Sequence, residues 1–275
     1  MIPAAFDYVR AGSAEEAVSL LVEHGDEAKL LAGGHSLVPM MKLRLAVPTV
    51  VVDVGRVDDL RYINDVGDHL AIGALTTHRM LETSQLLADQ CPILPAVAHV
   101  VGDPQVRHRG TLGGTLAHSD PASDLPAAVL ALGGTLVAQG PNGSREIAAA
   151  DFFTGYFESA LAADEMLTEI RLPKCPGAGW NYQKFNRRAQ DWAIVGVAAV
   201  VGDGLTGVSL VNMGSTPLRA SAVEAALAGG ASAADAAQAA ADGTEPPTDL
   251  NASPEYREHL ARVLTRRALE AAGVA

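Results

Sequence analysis

Cysteine is nearly absent. The 275-residue chain has two, Cys91 and Cys175, each followed by proline, and they form neither a C-x-x-C pair nor a set of four. That pattern argues against a structural zinc or an iron–sulfur cluster held by this chain alone, so electrons passing through it would use another carrier. Positive charge is also short, with 20 Lys and Arg against 32 Asp and Glu for a net −12. This balance argues against nucleic acid or an anionic membrane surface as the main partner, and an anionic cofactor would have to be held locally. No apolar run reaches the roughly 18 residues of a membrane span. The start of the chain, with Asp7 and Arg10, lacks a secretory pattern, so the expected compartment is the cytoplasm. No internal repeat is visible. His35 and His118 have no second ligand at metal spacing, so no metal site is expected, and His118-Ser119-Asp120 is a sequence neighbourhood rather than a catalytic triad. The length allows two domains, or one domain divided into lobes, around a sizeable core.

What is present is a glycine pair set between hydrophobic runs, and it occurs twice. Residues 28–32 have strand character, Gly33 and Gly34 break it, Ser36 is placed to cap a helix over 37–43, and residues 49–54 read as a second strand. Two glycines let backbone N–H groups point outward and a helix N-terminus adds partial positive charge, which suits an anion such as a pyrophosphate. An ordinary strand–turn–helix connection is the competing reading. Gly113 and Gly114 repeat the logic in a stretch rich in small polar residues.

Around the first pair, Ser13 with Glu16 forms a capping box ahead of a helix bearing Ala17, Leu20 and Leu21, so the first 55 residues have a strand–helix–strand rhythm. Asp53 stands where an acid could grip a ribose, but the third glycine of G-x-G-x-x-G is missing and Pro48 interrupts the crossover, which argues against a nicotinamide-dinucleotide lobe. Residues 60–64 and 69–72 read as a hairpin, and helices follow from Thr76 or Thr77 to 87 and over 92–101. A polar turn is expected at 102–105. Ser123 and Asp124 precede the run 125–132, where they also read as an N-cap and a first-turn acid. A hairpin around 141–143 and a strand over 166–172 lead to a linker at 173–179.

Beyond it, runs at 180–186, 193–201 and 205–213, the last two joined at Asp203-Gly204, read as a three-stranded antiparallel sheet. Alanine-rich helices over 220–227 and 233–241 come next. A last helix opens at Ser253 and Pro254, with Tyr256, Leu260, Val263 and Leu264 on one stripe and Arg257, Arg262 and Arg266 turned elsewhere, as a lid over the sheet.

Taken together, Ala32-Gly33-Gly34-His35-Ser36, Thr111-Leu112-Gly113-Gly114-Thr115, Asp120-Pro121-Ala122-Ser123-Asp124-Leu125-Pro126, Asp164-Glu165-Met166-Leu167, Gln183-Lys184-Phe185 and Asp191-Trp192-Ala193 cover nearly the whole chain in order. This set resembles the FAD-binding medium subunit of the molybdenum hydroxylases, the group that includes aerobic carbon monoxide dehydrogenase and xanthine dehydrogenase, and is most similar to the carbon monoxide dehydrogenase type.

The resemblance implies an α+β architecture: the two-lobed FAD-binding fold of the vanillyl-alcohol oxidase type, with a small α/β N-terminal lobe (1–56) and a mixed middle lobe (57–173), plus a C-terminal domain (179–275). It implies that Ala32 to Ser36, with Leu37, and Thr111 to Thr115 hold the pyrophosphate of FAD, with Asp120 and Ser123 also at the cofactor. Asp124 would take the ribityl hydroxyls, Leu167 the adenine neighbourhood and Lys184 the isoalloxazine edge. Trp192 stands where an aromatic, often Tyr, lies near the flavin, and Thr115 replaces the usual Asn.

No catalytic side chain is implied. The chain would take electrons from a partner's iron–sulfur clusters onto FAD and pass them to quinone, NAD or oxygen. Its partners would be an iron–sulfur small subunit and a molybdenum-cofactor large subunit, in a dimer of heterotrimers with no integral membrane segment, cytoplasmic or at the inner membrane face through the complex. The competing readings are a free-standing FAD oxidase, a NAD(P) dehydrogenase and a scaffold that has lost flavin binding.

Overall fold

The computed structural model describes residues 1–202 and 204–275, so the expected Asp203-Gly204 junction falls partly outside the described residues. The chain opens on a parallel sheet of β1 (Asp7–Arg10), β2 (Ala28–Leu31) and β3 (Val50–Asp53), in the order β1-β3-β2, connected through α1 (Ala14–His24) and α2 (Leu37–Leu43). β1 is an addition to the sequence reading, because its four mostly exposed residues carry no alternation. Ser13 caps α1 by accepting from the Glu16 amide at 3.2 Å, while Glu16 reaches the Gly12 amide at 2.7 Å, one residue before the position a capping box would use. Ser36 departs from expectation. It occupies the N-cap position of α2 in a helical conformation and makes no side-chain cap bond.

The middle of the chain contains β4 (Ile63–Asp65), β5 (His69–Gly73), β6 (Thr135–Gly140), β7 (Gly143–Ala148), a small hairpin of β8 (Phe153–Gly155) and β9 (Glu158–Ser159), and β10 (Met166–Pro173). Five of these form one antiparallel sheet in the order β4-β5-β10-β6-β7. Its helices are α3 (His78–Thr83), α4 (Gln85–Gln90), α5 (Ile93–His99), α6 (Pro104–Arg109), α7 (Leu112–His118), α8 (Asp124–Ala131) and α9 (Ala149–Phe152).

The single helix expected to run to 87 is broken at Ser84, whose extended backbone ends α3 and whose hydroxyl caps α4. The expected turn at 102–105 is half helix. Asp103 accepts from the Val106 amide at 2.9 Å and Pro104 opens α6, a six-residue helix too short to show a period. Every residue of α8 is buried.

The C-terminal sheet consists of β11 (Gly179–Phe185), β12 (Val195–Gly202), β13 (Leu205–Val211) and β14 (Leu218–Arg219), all antiparallel neighbours. It therefore has a fourth strand beside the three expected. β14 is two residues long and pairs only with Ser209 and Leu210, so nothing in its sequence could mark it. One face meets α8 backbone to backbone, since a Cβ on Gly207 would lie 1.8 Å from the Ala131 carbonyl oxygen. The other is covered by α10 (Ser221–Ala228), α11 (Ala233–Ala236) and α12 (Pro254–Ala271).

Arg257 corrects the expected stripe of α12. It is fully buried, donating to the Ile194 carbonyl and pairing with Asp249 at 2.8 Å, while Tyr256 is exposed. Among the described residues no helix is long and apolar enough to cross a membrane.

Candidate functional site

The two glycine loops meet. A Cβ on Gly33 would sit 2.2 Å from the Arg109 carbonyl oxygen and 3.0 Å from the Gly110 Cα, so only glycine allows this backbone-to-backbone approach. Gly34 adds a left-handed backbone, with φ at +81°. The second loop is pinned to the start of α3 by the Thr77–Thr111 bridge and by the His78 amide donating to Gly110 at 2.9 Å.

Here the structure corrects the idea of two matching amide cradles. Leu112 donates to Thr76 at 2.9 Å, Gly113 to Ala74 at 2.8 Å and Thr115 to the Thr111 carbonyl at 3.1 Å, while Gly114 donates to the Thr111 hydroxyl that caps α7. These amides are engaged inside the chain. The glycines of this loop serve close packing instead: a Cβ on Gly113 would meet Ala74 at 2.6 Å, and one on Gly114 would meet the Thr111 hydroxyl at 2.6 Å.

A cavity of about 560 Å³ opens around the loops and, except for Leu112, which is fully buried in the core, the residues expected at the cofactor lie on its wall. These are Ala32 to Leu37 from the first loop, Thr111, Gly113, Gly114 and Thr115 from the second, Asp120, Ser123 and Asp124 before and on α8, Leu167 on β10, Lys184 on β11, and Trp192 beyond it. Ser123 occupies the N-cap position of α8 without a side-chain cap bond.

Asp124 turns away from the helix end towards β11. Its carboxylate accepts from Lys184 Nζ at 2.8 Å and from the Tyr182 hydroxyl at 2.5 Å, and Lys184 also donates to the Val100 carbonyl at 3.0 Å. Tyr182 and Lys184 reach the same carboxylate because residues two apart on a strand share a face. Burial pushes the Asp124 carboxyl above the usual range, opposed by the Lys184 ammonium and the Tyr182 hydroxyl. Burial, followed by the Asp124 charge, drives the Tyr182 phenol well above its ordinary value.

Trp192 is anchored, its indole N–H donating to Asp120 at 2.9 Å although the residue is 62% exposed. The other Asp120 oxygen accepts from the Ala122 amide at 2.9 Å.

Three site residues escaped the sequence reading. Tyr182 had a signal in its alternation with Lys184. His78 and Phe157 had none. His78 is buried against the second loop, with Nε2 3.2 Å from the Thr111 carbonyl and Nδ1 without a hydrogen-bond partner, and burial lowers its pKa to about 4. Phe157 lies at the turn between β8 and β9, its ring 4.9 Å from that of His118. Asp53 is not placed to grip a ribose, since it accepts from the Tyr8 hydroxyl at 2.5 Å and the Gly55 amide at 2.7 Å. Among the described residues no group of potential metal ligands occurs.

Residues 4–175 match the family described as the FAD binding domain in molybdopterin dehydrogenase, and residues 180–272 the CO dehydrogenase flavoprotein C-terminal domain. The chain is 42% identical to the carbon monoxide dehydrogenase medium chain of Hydrogenophaga pseudoflava, with 99% of this chain and 98% of that relative covered. It is 38% identical to the 6-hydroxypseudooxynicotine dehydrogenase complex subunit alpha of Paenarthrobacter nicotinovorans, over 98% of this chain and 95% of the relative. The solved carbon monoxide dehydrogenase of Hydrogenophaga pseudoflava superposes with a TM-score of 0.95 at 42% identity, over 99% of this chain and 98% of that one.

Proposed function

This chain belongs to the FAD-binding medium subunits of the molybdenum hydroxylases, in the carbon monoxide dehydrogenase branch, and from that premise we propose how its residues hold the cofactor and what the assembly does. It is a flavoprotein subunit of an oxidoreductase complex. The residues present fit FAD, because the two loops close on each other where a single Cβ at Gly33 would collide with Arg109, leaving a cavity of about 560 Å³ beside them. Bound FAD would supply the redox step, accepting electrons from a partner's clusters and returning them to an external acceptor.

The first loop, Ala32 to Leu37, would hold the pyrophosphate through its backbone N–H groups. The second contributes shape, since the amides of residues 112–115 are already engaged. Asp124 keeps acceptor capacity for ribityl hydroxyls beyond the bonds from Lys184 and Tyr182, because each carboxylate oxygen has more than one lone pair. Lys184, held by Asp124, would supply a buried positive charge to the isoalloxazine edge. Trp192, fixed by Asp120, would stand near the flavin, and Leu167 would lie in the adenine neighbourhood.

The partners are an iron–sulfur small subunit and a molybdenum-cofactor large subunit, in a dimer of heterotrimers that works in the cytoplasm or at the inner membrane face. Carbon monoxide oxidation is the first substrate to test. The collection of the expected positions, Leu112 apart, on one cavity wall supports the assignment.

Purified chain reconstituted with FAD should show flavin absorption bands and a one-to-one flavin content. A chain that stays colourless after reconstitution would overturn the site assignment.

A further inference from the structure

The turn between β8 and β9 is two residues long, Tyr156-Phe157, with Gly155 paired to Glu158 across it. Its second residue, Phe157, has φ at +59°. Turns that need a left-handed residue at this place normally take Gly or Asn, because a Cβ is crowded there. A phenyl ring is the opposite choice, and the fold does not recover the strain by burying it: the ring is 42% exposed and its aromatic neighbours are His118 and Tyr156, the latter 65% exposed.

What the strained backbone achieves is placement. Phe157 and His118 both line the cavity, and the chain beyond the turn continues along the same wall through Ser159, Leu161, Ala162 and Leu167. That stretch carries small and apolar side chains apart from Glu165, whose carboxylate is paired with Arg145 at 2.7 Å, whereas the buried ionic pair of the site comes from α8 and β11. An uncharged, flat, aromatic group suits a wall of this kind.

We propose that Phe157, backed by His118, is the stacking surface for the adenine ring of FAD, and that it selects the dinucleotide over a shorter flavin. The inference rests on the FAD reading above. A ring held at a fixed angle by a hairpin turn offers its face to a base without first losing side-chain freedom, and stacking is indifferent to which hydrogen bonds the base makes. Burial lowers the pKa of His118, against the opposing pull of the Asp120 charge, which favours the uncharged ring beside Phe157.

The test uses the full chain stripped of flavin. Removing a stacked aromatic weakens binding by roughly 5- to 150-fold. Phe157→Ala should therefore weaken both FAD and ADP by a common factor in that range while FMN binds as in wild type, and Phe157→Tyr should restore both. Unchanged FMN affinity also shows that the variant is folded. Equal FAD affinity in wild type and Phe157→Ala would overturn the proposal, as would loss of FMN binding with ADP binding retained. If wild-type chain binds neither FAD nor FMN, the functional reading itself falls, an outcome distinct from either of these.

Discussion

The buried polar side chains around the cavity differ in how they are satisfied, and that difference predicts their behaviour. His78 has one ring nitrogen against Thr111 and the other without a partner, so a proton on Nδ1 would be a buried cation with nothing to accept from it. Its folded-state pKa of about 4 lies below the unfolded value near 6.5. The neutral ring's stabilisation is thus fully present above pH 6.5 and is lost as the pH falls towards 4. The gap corresponds to roughly 3 kcal/mol, and urea titrations of wild type and His78→Gln should show wild type losing about that much more between pH 7 and pH 4.

Lys184 is bound up with Asp124 in the same way. Lys184→Met would leave a buried carboxylate unpaired, at a cost of roughly 3–5 kcal/mol. Because the unpaired carboxyl then binds its proton more tightly when folded, that deficit should be larger at pH 8 than at pH 5. Thermal melts at the two pH values check the sign, and an equal deficit at both would remove the charge from the explanation. In the FAD-loaded chain the same variant should lower the flavin reduction potential, since a cation beside the ring favours its reduced, anionic form.

At the scale of elements, the two glycine loops look alike in sequence and do different work. Gly113→Ala drives a Cβ into Ala74, an overpacking of the kind that costs about 1–3 kcal/mol. The apoprotein melting temperature should fall before flavin affinity is considered. Gly34→Ala meets only side-chain atoms, Leu31 Cδ1 and Val38 Cγ2 at 3.3 Å, and bears chiefly the left-handed backbone cost of about 1–2 kcal/mol. Its apoprotein should survive better and its FAD retention suffer more, because the first loop is the one proposed to face the phosphates. Normal FAD content in Gly34→Ala would remove that loop from the site. Helices with capping residues and a clear apolar side, such as α1 and α12, were legible in the sequence. Short ones such as α6, and the two-residue β14, were not, because their ends are set by single side-chain bonds or by a neighbouring strand.

For the whole molecule, the family places this chain within a larger assembly of several subunits, and the proposed division of work is that this chain holds the flavin while its partners transform the substrate. Full chain loaded with FAD should show no turnover with carbon monoxide, purines or simple aldehydes, and adding both partner subunits should restore flavin reduction by substrate. Rapid substrate-dependent bleaching in the chain alone would refute this.

The sequence by itself marked the glycine loops and the longer strands and helices, because glycine pairs, alternation and capping residues act over a few neighbours, and its motifs in order carried the resemblance to the family. Only the tertiary structure decided that the amides of Leu112 and Gly113 are engaged by Thr76 and Ala74, that Asp124 faces Lys184 and Tyr182, that Arg257 is buried, and that Phe157 is carried to His118. Each of those outcomes turns on which distant group supplies the missing partner for a buried or strained residue, and packing, not spacing along the chain, makes that choice.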